Sequence, residues 1–159
     1  MDHRAQIVSA QFELQTRLYK NVLEGLENNG MKRISQATNH LGWLAGHLVS
    51  TRYMLCNVLG EEAQEPHPAL FQNGKGIDSE ADYPSLTSCL KDWDAITPRL
   101  MNRLKSLSAQ QLEAKAPFQI PMGERIDHFV GFIAHHEAYH IGQMGILRKY
   151  FGKEAMKYS

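Results

Sequence analysis

The chain has 159 residues, 43% of them apolar, and its 17 basic and 17 acidic residues cancel. This length predicts one domain, 1–159, with a core large enough to fold without disulfides. The balanced charge argues against nucleic acid as a partner, and no apolar run approaches the roughly 18 residues that span a bilayer. The start lacks an apolar signal core, and Cys56 and Cys89 form no C-x-x-C pair, so we expect a cytoplasmic protein with reduced, buried thiols.

Four long segments have the apolar spacing of helices, and the first two precede a long connection. The first helix is predicted over residues 5–28, and Gly30 is expected to end it in a left-handed conformation. The second is predicted over residues 35–59, with Ser35 as N-cap and Gly60 as the capping glycine at its end.

The third helix is predicted over residues 84–107, with Pro84 at its first position. Pro98 lies inside this segment and is expected to bend or split the helix. A short helical turn with the outline of a capping box is predicted at 108–111.

The fourth helix is predicted over residues 122–151, and Gly152 is expected to end it. Between the third and fourth helices, residues 118–121 could be extended. Pro121 disfavours a ladder there, so no strand pair is expected.

The fourth helix contains the sequence H-H-E-A-Y-H at 135–140. Residues four apart lie on one face of a helix, so His136 and His140 can direct two imidazoles at one metal ion. A catalytic metal typically takes three protein ligands, and a third histidine on the second helix would complete the set. His47 is the better candidate for the third ligand, and His40, seven residues earlier, is the weaker one.

The second helix also carries Gly42 and Gly46 beside the candidate ligand His47. Because glycine has no side chain, these two positions are expected to let a neighbouring helix approach closely. Most of the remaining histidines, and Trp43 and Trp93, are expected to be ordinary core or surface residues.

The same residues spell H-E-x-x-H, the zinc metalloprotease signature, in which Glu137 would be the general base. The third ligand of such enzymes usually lies downstream, but the 19 residues after His140 contain no histidine. Gln143 also stands where the extended pattern requires glycine. A peptidase is therefore disfavoured, and Glu137 could instead support the metal ligands or lie on the polar surface.

Three motifs together make the chain resemble the DinB/YfiT-like superfamily of metal-dependent enzymes. They are N-H-L-G-W-L-A-G-H-L at 39–48, D-Y-P-S-L at 82–86 and H-E-A-Y-H-I-G-Q at 136–143. The resemblance implies an all-α fold, a four-helix bundle in up-down-down-up order with a long crossover between helices two and three. It also implies a divalent metal, nickel or zinc above all, on His47, His136 and His140.

Characterised relatives in that superfamily include S-transferases that use bacillithiol, mycothiol or glutathione, and a maleylpyruvate isomerase. The resemblance thus favours a thiol S-transferase acting on small electrophiles, with a low-molecular-weight thiol as second cofactor. Arg52, Gln143 and Arg148 are candidates to bind that thiol. A metal-dependent hydrolase and a non-catalytic metal- or small-molecule-binding bundle stay open as alternatives.

Three further expectations concern partners and the long connection. We expect a small-molecule substrate as the partner, and the chain could form a homodimer. The connection at residues 60–83 contains Gly-Lys-Gly at 74–76 and is expected to cross the bundle and cover the open end of the metal site.

Overall fold

The computed structural model describes residues 2–158, which form a mostly helical protein, broadly all-α as expected. Its elements in chain order are α1 (His3–Leu23), a 3₁₀ turn (Glu27–Asn29), α2 (Leu41–Val58), α3 (Pro68–Phe71), a second 3₁₀ turn (Gln72–Gly74), α4 (Leu86–Ser106), α5 (Ala109–Glu113), β1 (Lys115–Ile120), β2 (Gly123–Arg125) and α6 (Ile126–Tyr150). Across this described part of the chain, every helix is too short or too polar to cross a membrane.

The four long helices, α1, α2, α4 and α6, bury one continuous apolar core. α1 packs against α4 and α6, and α2 packs against the same two helices. Each helix contributes a side chain that is at most 1% exposed: Phe12, Leu48, Trp93 and Val130. Burying one large apolar side chain contributes about 1.5–3 kcal/mol, so this core is the main source of stability.

The C-terminal end of α1 and the N-terminal end of α2 differ from the prediction. α1 ends at Leu23 because Gly25, with φ of 71°, takes the left-handed conformation, whereas Gly30 has an ordinary φ of −51°. Gly60, with φ of 87°, follows the end of α2 as predicted.

The start of α2 was predicted six residues too early. The side chain of Ser35 accepts a hydrogen bond from the backbone N–H of Ala37 in a turn, and α2 begins only at Leu41. Its N-cap is His40, whose Nδ1 accepts from the backbone N–H of Trp43 at 3.0 Å. A histidine is an uncommon N-cap, which is why the more usual Ser35 was preferred.

α4 begins at Leu86, two residues after the predicted start, because the Ser85 side chain caps it. Pro98 does not split this helix, which runs unbroken over Leu86–Ser106. Pro98 removes the hydrogen bond to the carbonyl of Asp94, and both residues are exposed, so solvent can satisfy that carbonyl. The predicted capping box is confirmed at the start of α5.

A strand pair was not expected, and this prediction is wrong. β1 and β2 pair antiparallel, with Lys115 opposite Arg125 and Ile120 opposite Gly123. Pro121 lies in the two-residue turn between the strands, where its missing N–H interrupts no ladder. Because β2 takes up the residues before Ile126, α6 starts four residues after the predicted start and ends before Gly152, whose φ is 76°.

At Gly46 the neighbouring helix that approaches closely, as predicted, is the short α3, whereas at Gly42 the close neighbour is a loop residue. A Cβ at Gly46 would overlap the ring of Phe71, the last residue of α3, and a Cβ at Gly42 would overlap Met31. Phe71 is 4% exposed, so the connection between α2 and α4 is anchored over the N-terminal half of α2. This anchor places the connection beside the histidines of α2.

Candidate metal centre

Three imidazoles meet where α2 and α6 face each other. His47 comes from α2, and His136 and His140 lie one turn apart on α6. Nε2 of His136 is 3.0 Å from Nε2 of His47 and 3.1 Å from Nε2 of His140. Tetrahedral ligation with metal–nitrogen bonds of about 2.0–2.1 Å would hold neighbouring nitrogens about 3.3 Å apart, so this group could hold a metal ion.

The donor set of the cluster suits a cation better than a hydrogen-bond network. Nδ1 of His140 donates to the side-chain oxygen of Gln143 at 2.7 Å, so Nε2 of neutral His140 carries a lone pair directed at the cluster. A single N–H on His136 Nε2 cannot point at two neighbouring nitrogens at once, whereas one cation accepts all three lone pairs. The residues present therefore fit a divalent metal.

All three imidazoles are held in the neutral form that binds metal. Burial, together with repulsion from the neighbouring His136 and His140, lowers the pKa of His47 to about 3. Burial and the same kind of repulsion lower the pKa of His136 to about 4. Burial also lowers the pKa of His140, although its hydrogen bond with Gln143 opposes the shift. Protons therefore compete only weakly for these nitrogens near neutral pH.

Aromatic side chains enclose the cluster. The indole of Trp43 stacks on the His47 ring, with centroids 4.7 Å apart and planes inclined by 15°. Phe132, one turn before His136 on α6, lies with its ring centroid 6.5 Å from that imidazole. Trp43 was expected to be core only, and it is 6% exposed, but its position four residues before His47 places it on the same face.

The other candidate histidines lie outside the cluster. His40 caps α2, and its Nδ1 is engaged by the backbone N–H of Trp43. His135 is exposed and lines a different cavity, between α1 and α6. His128 lies beside Gly123 of β2. Within residues 2–158, the structure thus brings together the three histidines that the resemblance implied, and His40 is not among them.

Glu137, the candidate general base, is engaged in the core. Its two carboxylate oxygens accept hydrogen bonds from Nε and Nη2 of Arg52 at 2.7 and 2.9 Å, and both side chains are 0% exposed. Nη1 of Arg52 donates to the hydroxyls of Thr16 and Thr97, and Nη2 also reaches the carbonyl of Phe12. Burial raises the pKa of Glu137, while the adjacent guanidinium favours its charged form. The network joins all four long helices.

The three residues considered for thiol binding are also engaged. Arg52 is enclosed by the network with Glu137 and lies over the indole of Trp93 at 3.4 Å from the ring centroid. Arg148 is 9% exposed and donates to backbone carbonyls, including that of Glu24 at 2.7 Å. Gln143 orients His140. Neither arginine is free to receive an anionic cofactor.

A cavity of about 860 Å³ opens beside His47 and His136. The connection between α2 and α4 forms part of its wall through Phe71, Gln72, Asn73, Gly74 and Glu65. The prediction that residues 60–83 lie near the metal site is therefore confirmed. Nδ1 of His136 is buried and has no hydrogen-bond partner among the described residues.

Comparison with known proteins agrees with the motifs. The sequence model of the DinB superfamily matches residues 11–144, which include all three clustered histidines. No curated protein matches the chain.

Proposed function

The chain belongs to the DinB superfamily, and on that basis we propose that it is a divalent-metal-dependent enzyme whose ligands are His47, His136 and His140. The convergence of the three Nε2 atoms from two helices carries this proposal. Three protein ligands that leave a position for another group are typical of catalytic zinc sites, whereas structural sites are closed by four. Imidazole ligands suit nickel and zinc. The ion supplies Lewis acidity, which lowers the pKa of a thiol or water that binds it.

We propose thiol transfer to a small electrophile as the reaction. The sulfur of the thiol forms the new bond, the leaving group departs with the electrons of the broken bond, and the thiol proton passes to water. This reaction needs no carboxylate base beside the histidines, whereas peptide hydrolysis by an H-E-x-x-H enzyme needs one. Glu137 cannot serve as that base while Arg52 holds both of its oxygens.

The residues around the cluster have defined tasks in this proposal. Gln143 holds the Nδ1 proton of His140 and so keeps its Nε2 lone pair directed inward. Trp43 packs flat on His47 and limits the access of water from that side. Phe71 joins the connection to α2 and closes the cavity above His47.

We also propose that the four long helices form a bundle in up-down-down-up order. In that order α2 and α4 run parallel, so the chain between them must return along the whole length of a helix. The 18 residues of α2 rise about 27 Å, and the 24 residues from Gly60 to Tyr83 can extend well beyond that. The packing of α2 on both α4 and α6 supports the arrangement.

The metal site is tested by titrating chelator-treated protein with zinc and nickel in a calorimeter. One equivalent of metal should bind. Replacing His47, His136 or His140 with alanine should weaken binding by more than the roughly 10–100-fold that losing a supporting residue costs. His135→Ala is the matched control, since it removes a neighbouring imidazole on the same helix. Equal losses of metal affinity in His135→Ala and His136→Ala would overturn the assignment of His136 as a ligand.

The reaction is tested by incubating the metal-loaded protein with an electrophile and bacillithiol, mycothiol, glutathione or cysteine, and separately with peptides. Metal-dependent conjugation that disappears in His136→Ala supports the proposal. Metal-dependent peptide cleavage without conjugation, lost in Glu137→Gln while the fold persists, would reverse it.

A further inference from the structure

The cavity beside His47 and His136 has a mostly apolar, aromatic lining. Four phenylalanine rings and several aliphatic side chains form its wall: Phe71, Phe118, Phe129, Phe132, Met54, Val58 and Ile133. Its volume of about 860 Å³ falls within the range of small-molecule sites. Phenylalanine rings favour a flat, apolar ligand through stacked and edge-to-face contacts.

The charge of the lining disfavours anionic ligands. Glu65 is the single Asp, Glu, Lys or Arg side chain among the described lining residues. The buried guanidinium of Arg52 is already paired with Glu137. In the protein without bound metal, an anionic ligand would meet a carboxylate and no Lys or Arg side chain to compensate it, so the lining itself disfavours anions.

Glu65 also presents an unused acceptor. Its Oε2 accepts a hydrogen bond from the side-chain amide of Gln72 at 3.0 Å. Its Oε1 is buried and has no partner within residues 2–158. Buried carboxylate oxygens are normally hydrogen-bonded, so a ligand that brings an N–H or O–H group would complete the site once the carboxylate turns this oxygen toward the cavity.

From these observations we propose that the cavity binds an aromatic, non-anionic small molecule bearing an N–H or O–H donor, with its ring among the phenylalanines and its donor on Glu65. This proposal deepens the proposed function and rests on it for one point, namely that the bound molecule is the electrophile attacked beside the three histidines. Binding itself depends only on the cavity lining.

The test uses a pair of fluorescent probes that differ by one charged group. Anilinonaphthalene is uncharged, aromatic and has one N–H donor, and its sulfonate carries the same rings with an added anion. We expect the uncharged probe to bind chelator-treated protein with one-to-one stoichiometry and at least tenfold more tightly than the sulfonate. Glu65→Gln should reduce the difference in affinity between the two probes, because it tightens the binding of the sulfonate.

Two tryptophan variants test where the probe binds. Met54 is 36% exposed at the cavity wall, so Met54→Trp adds bulk there and should weaken binding of the uncharged probe at least tenfold. Ile7→Trp is the matched control, because Ile7 is 67% exposed and lines a separate apolar cavity. Circular dichroism of each variant confirms that it is folded.

Equal or tighter binding of the sulfonate, or equal effects of Met54→Trp and Ile7→Trp, would overturn this proposal. Zinc titration of the same preparations separates the two proposals. Probe binding without zinc binding rejects the metal-dependent function and still supports the proposed class of ligand. Zinc binding without probe binding rejects the ligand class alone.

Discussion

The buried ion pair between Arg52 and Glu137 gives a stability prediction that the structure quantifies. Replacing Arg52 with methionine keeps most of the side-chain volume but leaves a 0% exposed carboxylate without its counter-charge. Removing one partner of a buried pair costs about 3–5 kcal/mol. Protein domains have unfolding free energies of about 5–15 kcal/mol, so this single change should remove a large share of the stability.

The double variant Arg52→Met with Glu137→Met should be far less affected. It removes both charges together, and replacing a buried pair by apolar side chains is often neutral or stabilising by about 1–4 kcal/mol. The hydroxyls of Thr16 and Thr97 lose the Arg52 donor but still donate to carbonyls within their own helices, as they do now at 2.7 and 2.6 Å. The double variant should therefore recover most of the loss caused by Arg52→Met.

Urea unfolding followed by far-ultraviolet circular dichroism measures these differences. With a denaturant slope of about 2 kcal/mol per molar, Arg52→Met should lower the midpoint by about 1.5–2.5 M. Lys105→Met is the control. It breaks an ion pair with Glu13 at 3.1 Å in which both side chains are 49% exposed, and such pairs contribute at most about 1 kcal/mol.

Two results would refute this reasoning. The first is a midpoint for Arg52→Met no lower than that for Lys105→Met, which would mean that the buried charge is not costly here. The second is a folded double variant that has lost its affinity for zinc. Glu137 would then serve the metal site directly, contrary to its observed place in the core.

Three further predictions concern folding and reactivity. Chelator treatment should leave the far-ultraviolet helical signal largely intact, because the apolar core holds the helices together, and collapse of that signal would make the metal structural. Cys56 and Cys89 should resist a disulfide reagent at pH 8 until urea unfolds the protein, because burial raises their pKa values to about 11 and about 12; rapid reaction of the native protein would contradict this. Gly46→Ala should displace Phe71, cost about 1–3 kcal/mol in urea unfolding and weaken probe binding in the cavity, whereas unchanged binding would show that Phe71 does not shape it.

Local sequence signals were sufficient for much of the helical architecture and for two of the three clustered histidines. The spacing of His136 and His140 alone places two imidazoles on one face of α6, and the glycines Gly60 and Gly152 mark true helix ends. The choice of His47 over His40 was harder, since both lie on the same segment. The residues alone favoured His47 and the family resemblance implied the same ligand, and the structure gives a physical reason, namely that the ring of His40 caps α2.

The remaining features depend on contacts that no local pattern encodes. Arg52 and Glu137 lie 85 positions apart in the sequence, and each by itself suggests a solvent-exposed or catalytic charged residue. The strand pair was missed because its turn contains Pro121 and Met122, not the Asn-Gly type of dipeptide that signals a hairpin. Phe71 reaches α2 only because the long connection folds back, which hydrophobic periodicity does not describe.

The ion pair joins the same two helices that carry the three histidines. Arg52 follows His47 by five residues on α2, and Glu137 follows His136 by one residue on α6, so the ion pair and the imidazoles join the same two helices at neighbouring levels. A two-point hydrogen bond between a guanidinium and a carboxylate restricts both the rotation and the axial position of the helices that carry it. Metal ligands must be held within about 0.5 Å of their working geometry, and rigid helices locked by packing and polar contacts provide this. In this chain the glutamate of H-E-x-x-H is paired with Arg52 in the core and so joins α6 to α2, and the third histidine of the cluster lies upstream of the motif.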